Sequence, residues 1–212
     1  MNMQLFIDIE TIGTEDPAMV DEISAGIKPP SNYSKAETIA AWERDIKPGL
    51  VKDALAKTAF DGTVGRVICV GMALGGDAPI TYMGDERGLL LAVGSHLQPG
   101  HRNIIGHNVT WDIRFLWQRF IVNNVPPPDW LRLAVRAKPW EVEDTMLLWN
   151  PDRERKISLD RLCKVLGITS PKNDFDGSMV WDAWRNGEEE KISEYCRADI
   201  VATRECYRRM KS

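Results

Sequence analysis

Cysteine and histidine are scarce: the 212-residue chain has four Cys and three His. Cys69, Cys163, Cys196 and Cys206 form no CxxC pair, and no His stands at metal-binding spacing from them, which excludes zinc-finger and thioredoxin-type sites. Each lies in an apolar segment, as expected of small buried hydrophobes in a reducing cytoplasm. Long hydrophobic runs are also missing. None approaches the roughly 20 residues that span a bilayer, so no membrane association is expected. The N-terminal Met1-Asn2-Met3-Gln4-Leu5 has no basic region or cleavage site, and no secretory signal is expected. There is no repeat and no low-complexity tract. What remains, 43% hydrophobic and 27% charged residues, is ordinary globular composition for one domain with an elaboration.

Strong charge is lacking as well. A net charge of −4 does not suggest a nucleic-acid partner, but the charge is unevenly spread. Residues 101–140 carry six basic and two acidic residues, namely Arg102, Arg114, Arg119, Arg132, Arg136 and Lys138 against Asp112 and Asp129. Such a stretch is either an ordinary solvated surface or a face that meets a phosphate backbone.

Hydrophobic periodicity orders the chain as early strands and late helices. Leu5 to Glu10 reads as a strand broken by two carboxylates. Residues 13–62 read as a helical insertion: Ser34-Lys35-Ala36-Glu37 has a capping-box pattern, Ile39, Trp42 and Ile46 form a stripe ended by Pro48-Gly49, and a second helix follows from Leu50. Arg66–Leu74 and Pro79–Met83 are further strands. Asp85 caps a helix over 86–97, a strand covers 103–108, and a helix covers 111–122. Pro126-Pro127-Pro128 is a rigid break. Short helices follow Asp144 and Ser158, the second stopped by Gly167. A polar loop spans 171–177, and a long helix runs over about 188–210. The expected fold class is α/β: three layers, with a central mixed β-sheet flanked by helices.

Carboxylates stand out in this frame. Asp8 and Glu10 are two apart on a strand, so they share one face, about 7 Å apart. Side by side in a sheet they repel and resist desolvation, unless a divalent cation offsets both penalties. Asp112 falls in the first turn of a helix, whose dipole favours its ionised form. Tyr195 and Asp199 are i, i+4 on the last helix and share a face. Read singly, each has a bland explanation: an edge strand, a cap, a Tyr–Asp hydrogen bond. Together, Asp8, Glu10, Asp112 and Asp199 bring four hard oxygen donors from three distant segments. That set favours Mg²⁺ or Mn²⁺ over Zn²⁺ and suits a two-metal centre for displacement at phosphorus.

The sequence resembles the DEDD (DnaQ-like) 3′–5′ exonucleases of the ribonuclease H-like fold. Phe6-Ile7-Asp8-Ile9-Glu10-Thr11 is similar to the family's first motif, Gly106-His107-Asn108 through Asp112 to its second, and Tyr195-x-x-x-Asp199 to its third in the tyrosine subclass (DEDDy). Ser158–Gly167 and Asp176-Gly177-Ser178 resemble stand-alone members similar to the proofreading domain of family-B DNA polymerases, and the insertion around Pro29–Ile39 does so less specifically. The resemblance implies that Asp8, Glu10 and Asp199 hold a first metal and that Asp8 bridges to a second near Asp112. It implies that Tyr195 orients the attacking water. Thr11, Ile12, His107, Asn108 and Trp111 would line the pocket for the 3′-terminal nucleotide. The implied activity is release of nucleoside 5′-monophosphates from single-stranded DNA, with two Mg²⁺ or Mn²⁺ ions as cofactors. RNA is the alternative substrate, because no reader of a 2′-OH can be located. An inactive nucleic-acid-binding module is a second alternative, opposed by the presence of all five catalytic residues. Ribonuclease H-type or transposase-like enzymes need no Tyr195/Asp199 pair. No polymerase or helicase domain is read in these residues, so a replication or repair partner would be a separate protein.

Overall fold

The computed structural model describes residues 3–96, 102–137, 142–152, 155–171 and 174–212. Lys138 lies outside the described residues, as do the end of the helix expected over 86–97 and part of the loop expected over 171–177. The chain forms two compact units, Met1–Thr11 with Val67–Ser212, and Ile12–Arg66.

In the first unit, five strands form a sheet: β1 (Met3–Ile12), β2 (Arg66–Leu74), β3 (Ile80–Met83), β4 (Arg102–Gly106) and β5 (Glu143–Asp144), in the order β3-β2-β1-β4-β5. Strands β1 and β4 pair in parallel with Phe6 opposite Ile105, β4 and β5 are also parallel, and β2 and β3 are antiparallel. The sheet is therefore mixed, as expected. Alternation along β1 divides the core. Leu5, Ile7 and Ile9 join one layer with residues of α4 (Glu86–His96), α5 (Val109–Val122) and α6 (Asp129–Arg136). Phe6 points to the other layer, against Ile200 and Tyr207 of α10 (Glu189–Lys211). Between these lie α7 (Thr145–Trp149), α8 (Leu159–Leu166) and α9 (Val180–Arg185), and α10 packs on all three. This is a three-layer α/β architecture.

Capping explains several boundaries. Asp85 Oδ1 accepts the Arg87 and Gly88 N–H groups, Asp144 accepts from Met146, and Ser158 accepts from Arg161. Gly167 closes α8 at φ +68°. Helices α6 and α9 were not anticipated. The first starts straight after the proline run, with Pro128 as its N-cap. Helix α5 begins at Val109, two residues earlier than expected, after Asn108 in a left-handed conformation.

The second unit is helical: α1 (Pro17–Gly26), α2 (Ala36–Asp45) and α3 (Lys47–Lys57). Helix α1 was not anticipated; Asp16 caps it through the Ala18 N–H at 2.8 Å. Two expectations fail here. Ser34 is not a cap, because α2 starts after Lys35 with no side-chain cap bond. Pro48-Gly49 does not end a helix but lies in the first turn of α3, where a proline lacks no needed donor.

The basic stretch does not form one surface. Arg119 is buried and binds Glu86 through Nε at 2.8 Å and Nη2 at 2.7 Å. Glu86 also accepts from the Val67 N–H and from Asn123 Nδ2, so one carboxylate joins α4, β2 and α5. Arg132 Nε donates to the Pro127 carbonyl. Glu86→Gln removes the carboxylate of this buried pair and should cost about 3–5 kcal/mol. Equilibrium urea unfolding reads this; an unchanged midpoint would show that the pair contributes nothing.

Candidate active site

Strand β1 extends beyond the end of β4, and its last turns of pleat carry Asp8 and Glu10 on the face shared with Phe6, toward α10. Glu10 is buried. Asp8 keeps partial exposure, but its Oδ2 atom is buried and makes no hydrogen bond. From α10 comes Cys196, whose Sγ donates to the Asp8 carbonyl at 3.7 Å. One donor atom each of Asp8, Glu10 and Cys196 lies within 4.8 Å of the others. Cys196 went unremarked in the sequence except as a buried thiol.

Asp112 reaches the same place from the opposite layer. Its carboxyl accepts the backbone N–H of Ile9, the residue between Asp8 and Glu10, and its own N–H. The carboxyl is therefore tied to the strand between the two motif acids. Asp199 stands close enough to raise the proton affinity of Asp8, Glu10 and Asp112 together. All three acids are pushed well above the usual carboxylate range, first by burial and then by one another's charge. Tyr195, one turn before Asp199 on α10, packs edge-on against Phe175 with ring centroids 5.4 Å apart. Burial, then Asp199, Glu10 and Asp8, hold its phenol above the ordinary tyrosine range. It therefore keeps its proton at neutral pH.

Asp8, Glu10 and Cys196 come together with two further acids, Asp112 and Asp199, nearby, and Asp8 Oδ2 makes no hydrogen bond among the described residues. Such a cradle fits divalent cations with oxygen preference.

Two glycines allow this convergence. A Cβ on Gly71 of β2 would lie 2.6 Å from Ile200 Cδ1 and 2.7 Å from Cys196 Sγ, so glycine lets α10 settle on the sheet. A Cβ on Gly106 would meet Val109 Cβ at 2.6 Å and the Ile7 carbonyl at 3.0 Å. Gly71 was missed; a lone glycine inside a buried strand run was the available signal.

The loop of the second motif is fastened from β5 and α7. Asp144 Oδ1 accepts the Asn108 N–H at 2.9 Å as well as that of Met146. Both ring nitrogens of His107 are engaged, Nδ1 with Thr145 Oγ1 at 2.9 Å and Nε2 with the Ile157 carbonyl at 2.8 Å. Burial lowers the proton affinity of this ring. Among the residues expected to line a nucleotide pocket, Asn108 and Thr11 keep partial exposure. Trp111 is partly buried and packs on Phe115, with ring centroids 5.2 Å apart. Ile12 is buried. A cavity of about 710 Å³ borders Tyr195 on its α9 side. Its charged lining is Asp174, Asp182, Glu188 and Glu194 against Lys191, so it repels phosphate.

Two predictions follow from this geometry. Raised carboxyl pKa values mean that the metal-free fold binds protons better than the unfolded chain. The resulting stability is present at low pH and is lost as pH rises through the raised values. In EDTA, Tm should fall as pH rises above the ordinary carboxylate range, and Mn²⁺ should restore it most at the higher pH. A flat profile would contradict the clustering. Gly71→Val should overpack the α10 contact, costing about 1–3 kcal/mol, and should weaken Mn²⁺ binding by calorimetry although residue 71 holds no ligand. Wild-type Mn²⁺ affinity in that variant would refute the positioning role.

Over 154 residues, 68% of this chain and 84% of the relative, the sequence is 29% identical to an uncharacterized protein of Methanocaldococcus jannaschii. The fold is similar to that of the family B DNA polymerase from the hyperthermophilic archaeon Pyrobaculum calidifontis, with a TM-score of 0.54, 13% identity and 96% of this chain covered. The chain spans 24% of that polymerase. No helix among the described residues is long and apolar enough to cross a membrane. The family model described as a predicted 3′–5′ exonuclease related to the exonuclease domain of PolB matches residues 86–212, more than half of the chain, and includes Asp112, Tyr195 and Asp199. The chain belongs to this family of predicted 3′–5′ exonucleases.

Proposed function

We propose that the protein is a metal-dependent 3′–5′ exonuclease of the tyrosine type, acting on single-stranded DNA and releasing nucleoside 5′-monophosphates. The observation that carries this reading is the convergence of the mutually repelling acids Asp8, Glu10, Asp112 and Asp199, with Tyr195 one turn before Asp199 on α10. Asp8, Glu10 and Asp199 are the residues to hold one Mg²⁺ or Mn²⁺. Asp8 and Asp112 would hold a second. When bound, the two ions supply an acidified water and neutralise charge on the departing 3′-oxygen. Tyr195, kept protonated by its acidic surroundings, orients that water through its hydroxyl. Asn108, Thr11 and Trp111 face the terminal nucleotide, and His107 holds their loop in place. The residues of the Ile12–Arg66 unit form an insertion within this one exonuclease domain. Fold similarity to a DNA polymerase favours DNA over RNA, and free cysteines suit a cytoplasmic enzyme. A replication or repair protein is the partner this substrate suggests.

The test is degradation of 3′- and 5′-labelled single-stranded DNA, duplex DNA and RNA with Mg²⁺, Mn²⁺ or EDTA. Single-stranded DNA should be shortened from its 3′ end, with activity lost in EDTA and in Asp8→Ala. Tyr195→Phe should lose roughly 10²-fold, the scale of one positioned proton-transfer group. Full activity of Asp8→Ala would sink the mechanism, and faster RNA decay would reassign the substrate.

A further inference from the structure

A second cavity, about 220 Å³, opens beside the second motif and is lined by Asn108, Thr110, Arg114, Asp144, Arg155 and Lys156 among others. Its cations come from two places in the chain. Arg114 lies on the exposed face of α5, and Arg155 and Lys156 precede α8. Asn150 Nδ2 donates to the Arg155 carbonyl at 2.8 Å and fixes the backbone there. Among the described residues, none of the three cationic side chains makes a hydrogen bond or ion pair. Among the described lining residues the one carboxylate, Asp144, is buried, and its Oδ1 already accepts two N–H groups. Thr110 Oγ1 is buried and makes no hydrogen bond. The first turn of α5, a helix of 14 residues, adds the positive end of its dipole. Three unpaired cations, one spare hydroxyl and a helix start against one occupied carboxylate make an anion site.

Size narrows the ligand. Small-molecule pockets usually measure about 300–1,000 Å³, so this cavity suits a phosphate group and not a whole nucleotide. Its place narrows it further. Asn108 at the cavity, the N-cap of α5, and Asp112 at the carboxylate cluster, in its first turn, are about one helical turn apart, about 6 Å in rise. We propose that this cavity holds an internal phosphodiester of the substrate strand, upstream of the bond that the carboxylate cluster attacks. It would be a second fixed point that sets the register of the 3′ end. The inference rests on the exonuclease reading and adds a substrate contact to it.

The test uses Arg114→Gln/Arg155→Gln/Lys156→Gln, checked for wild-type Tm, and also each single variant. Binding of a fluorescent twelve-nucleotide oligothymidylate is followed by anisotropy in EDTA over a salt series. The triple variant should bind at least tenfold more weakly, and its log K against log salt slope should be shallower by about 2, at about 0.7 per lost contact on a single strand. Hydrolysis of thymidine 5′-(p-nitrophenyl phosphate), too short to reach the cavity, should keep its wild-type rate. Unchanged binding and slope would overturn the proposal. So would an equal loss on the small ester, which would place the cations at the scissile phosphate. Tight binding of inorganic phosphate that leaves oligonucleotide binding undisturbed would reassign the cavity to a free anion and also overturn it. A wild-type protein that binds the oligonucleotide through these cations but never hydrolyses the ester would sink the exonuclease reading alone.

Discussion

Repulsion among carboxylates in a dry junction between strand and helix is the constraint that shapes this protein. Asp8 and Glu10 lie on a strand whose other face is hydrophobic core, and Asp112 and Asp199 are brought to them from helices in opposite layers. Nothing in that arrangement favours folding in the absence of a cation. It is held together by features that have no chemistry of their own. Asp112 is tied to the Ile9 N–H, Gly71 gives α10 room to approach, and His107 and Asp144 fasten the loop that starts α5.

The same unit shows how it treats a buried carboxylate meant only for structure. Glu86 receives a two-point bond from Arg119, the Val67 N–H and an asparagine amide, so every part of its charge is answered from within the chain. Asp8 Oδ2 receives nothing. A fold that can neutralise one buried acid so fully leaves the cluster to be neutralised from outside. That contrast is a stronger argument for bound cations than the acidity of the cluster itself.

Charge also reads differently in three dimensions. A net −4 includes the four acids of the cluster, whose charge two divalent cations would cancel. The basic stretch around the second motif does not act as a block, since Arg119 is spent inside the core and Arg132 on a backbone carbonyl. Arg114 finds its company in Arg155 and Lys156, which are distant in sequence. Linear charge counts cannot register such a meeting.

The sequence by itself determined the elements with strong periodicity and clear caps: β2 at Arg66–Leu74, α7 behind Asp144, α8 between Ser158 and Gly167, and the long α10. It also singled out the acids that the fold brings together, because carboxylates at period 2 in a strand, and i, i+4 with a tyrosine, conflict with burial and so announce themselves. Short helices such as α6 and α9 were not legible, since fewer than three turns carry little periodicity. Pro48-Gly49 misled because proline serves the start of a helix as well as its end. Only the tertiary structure decided which neighbours each polar group meets. Ile12 sinks into the core, His107 becomes a staple, Cys196 joins the acids, and three basic residues close on one cavity. Those outcomes depend on contacts between segments far apart in the chain, and local pattern contains no information about which face of one element will press on another.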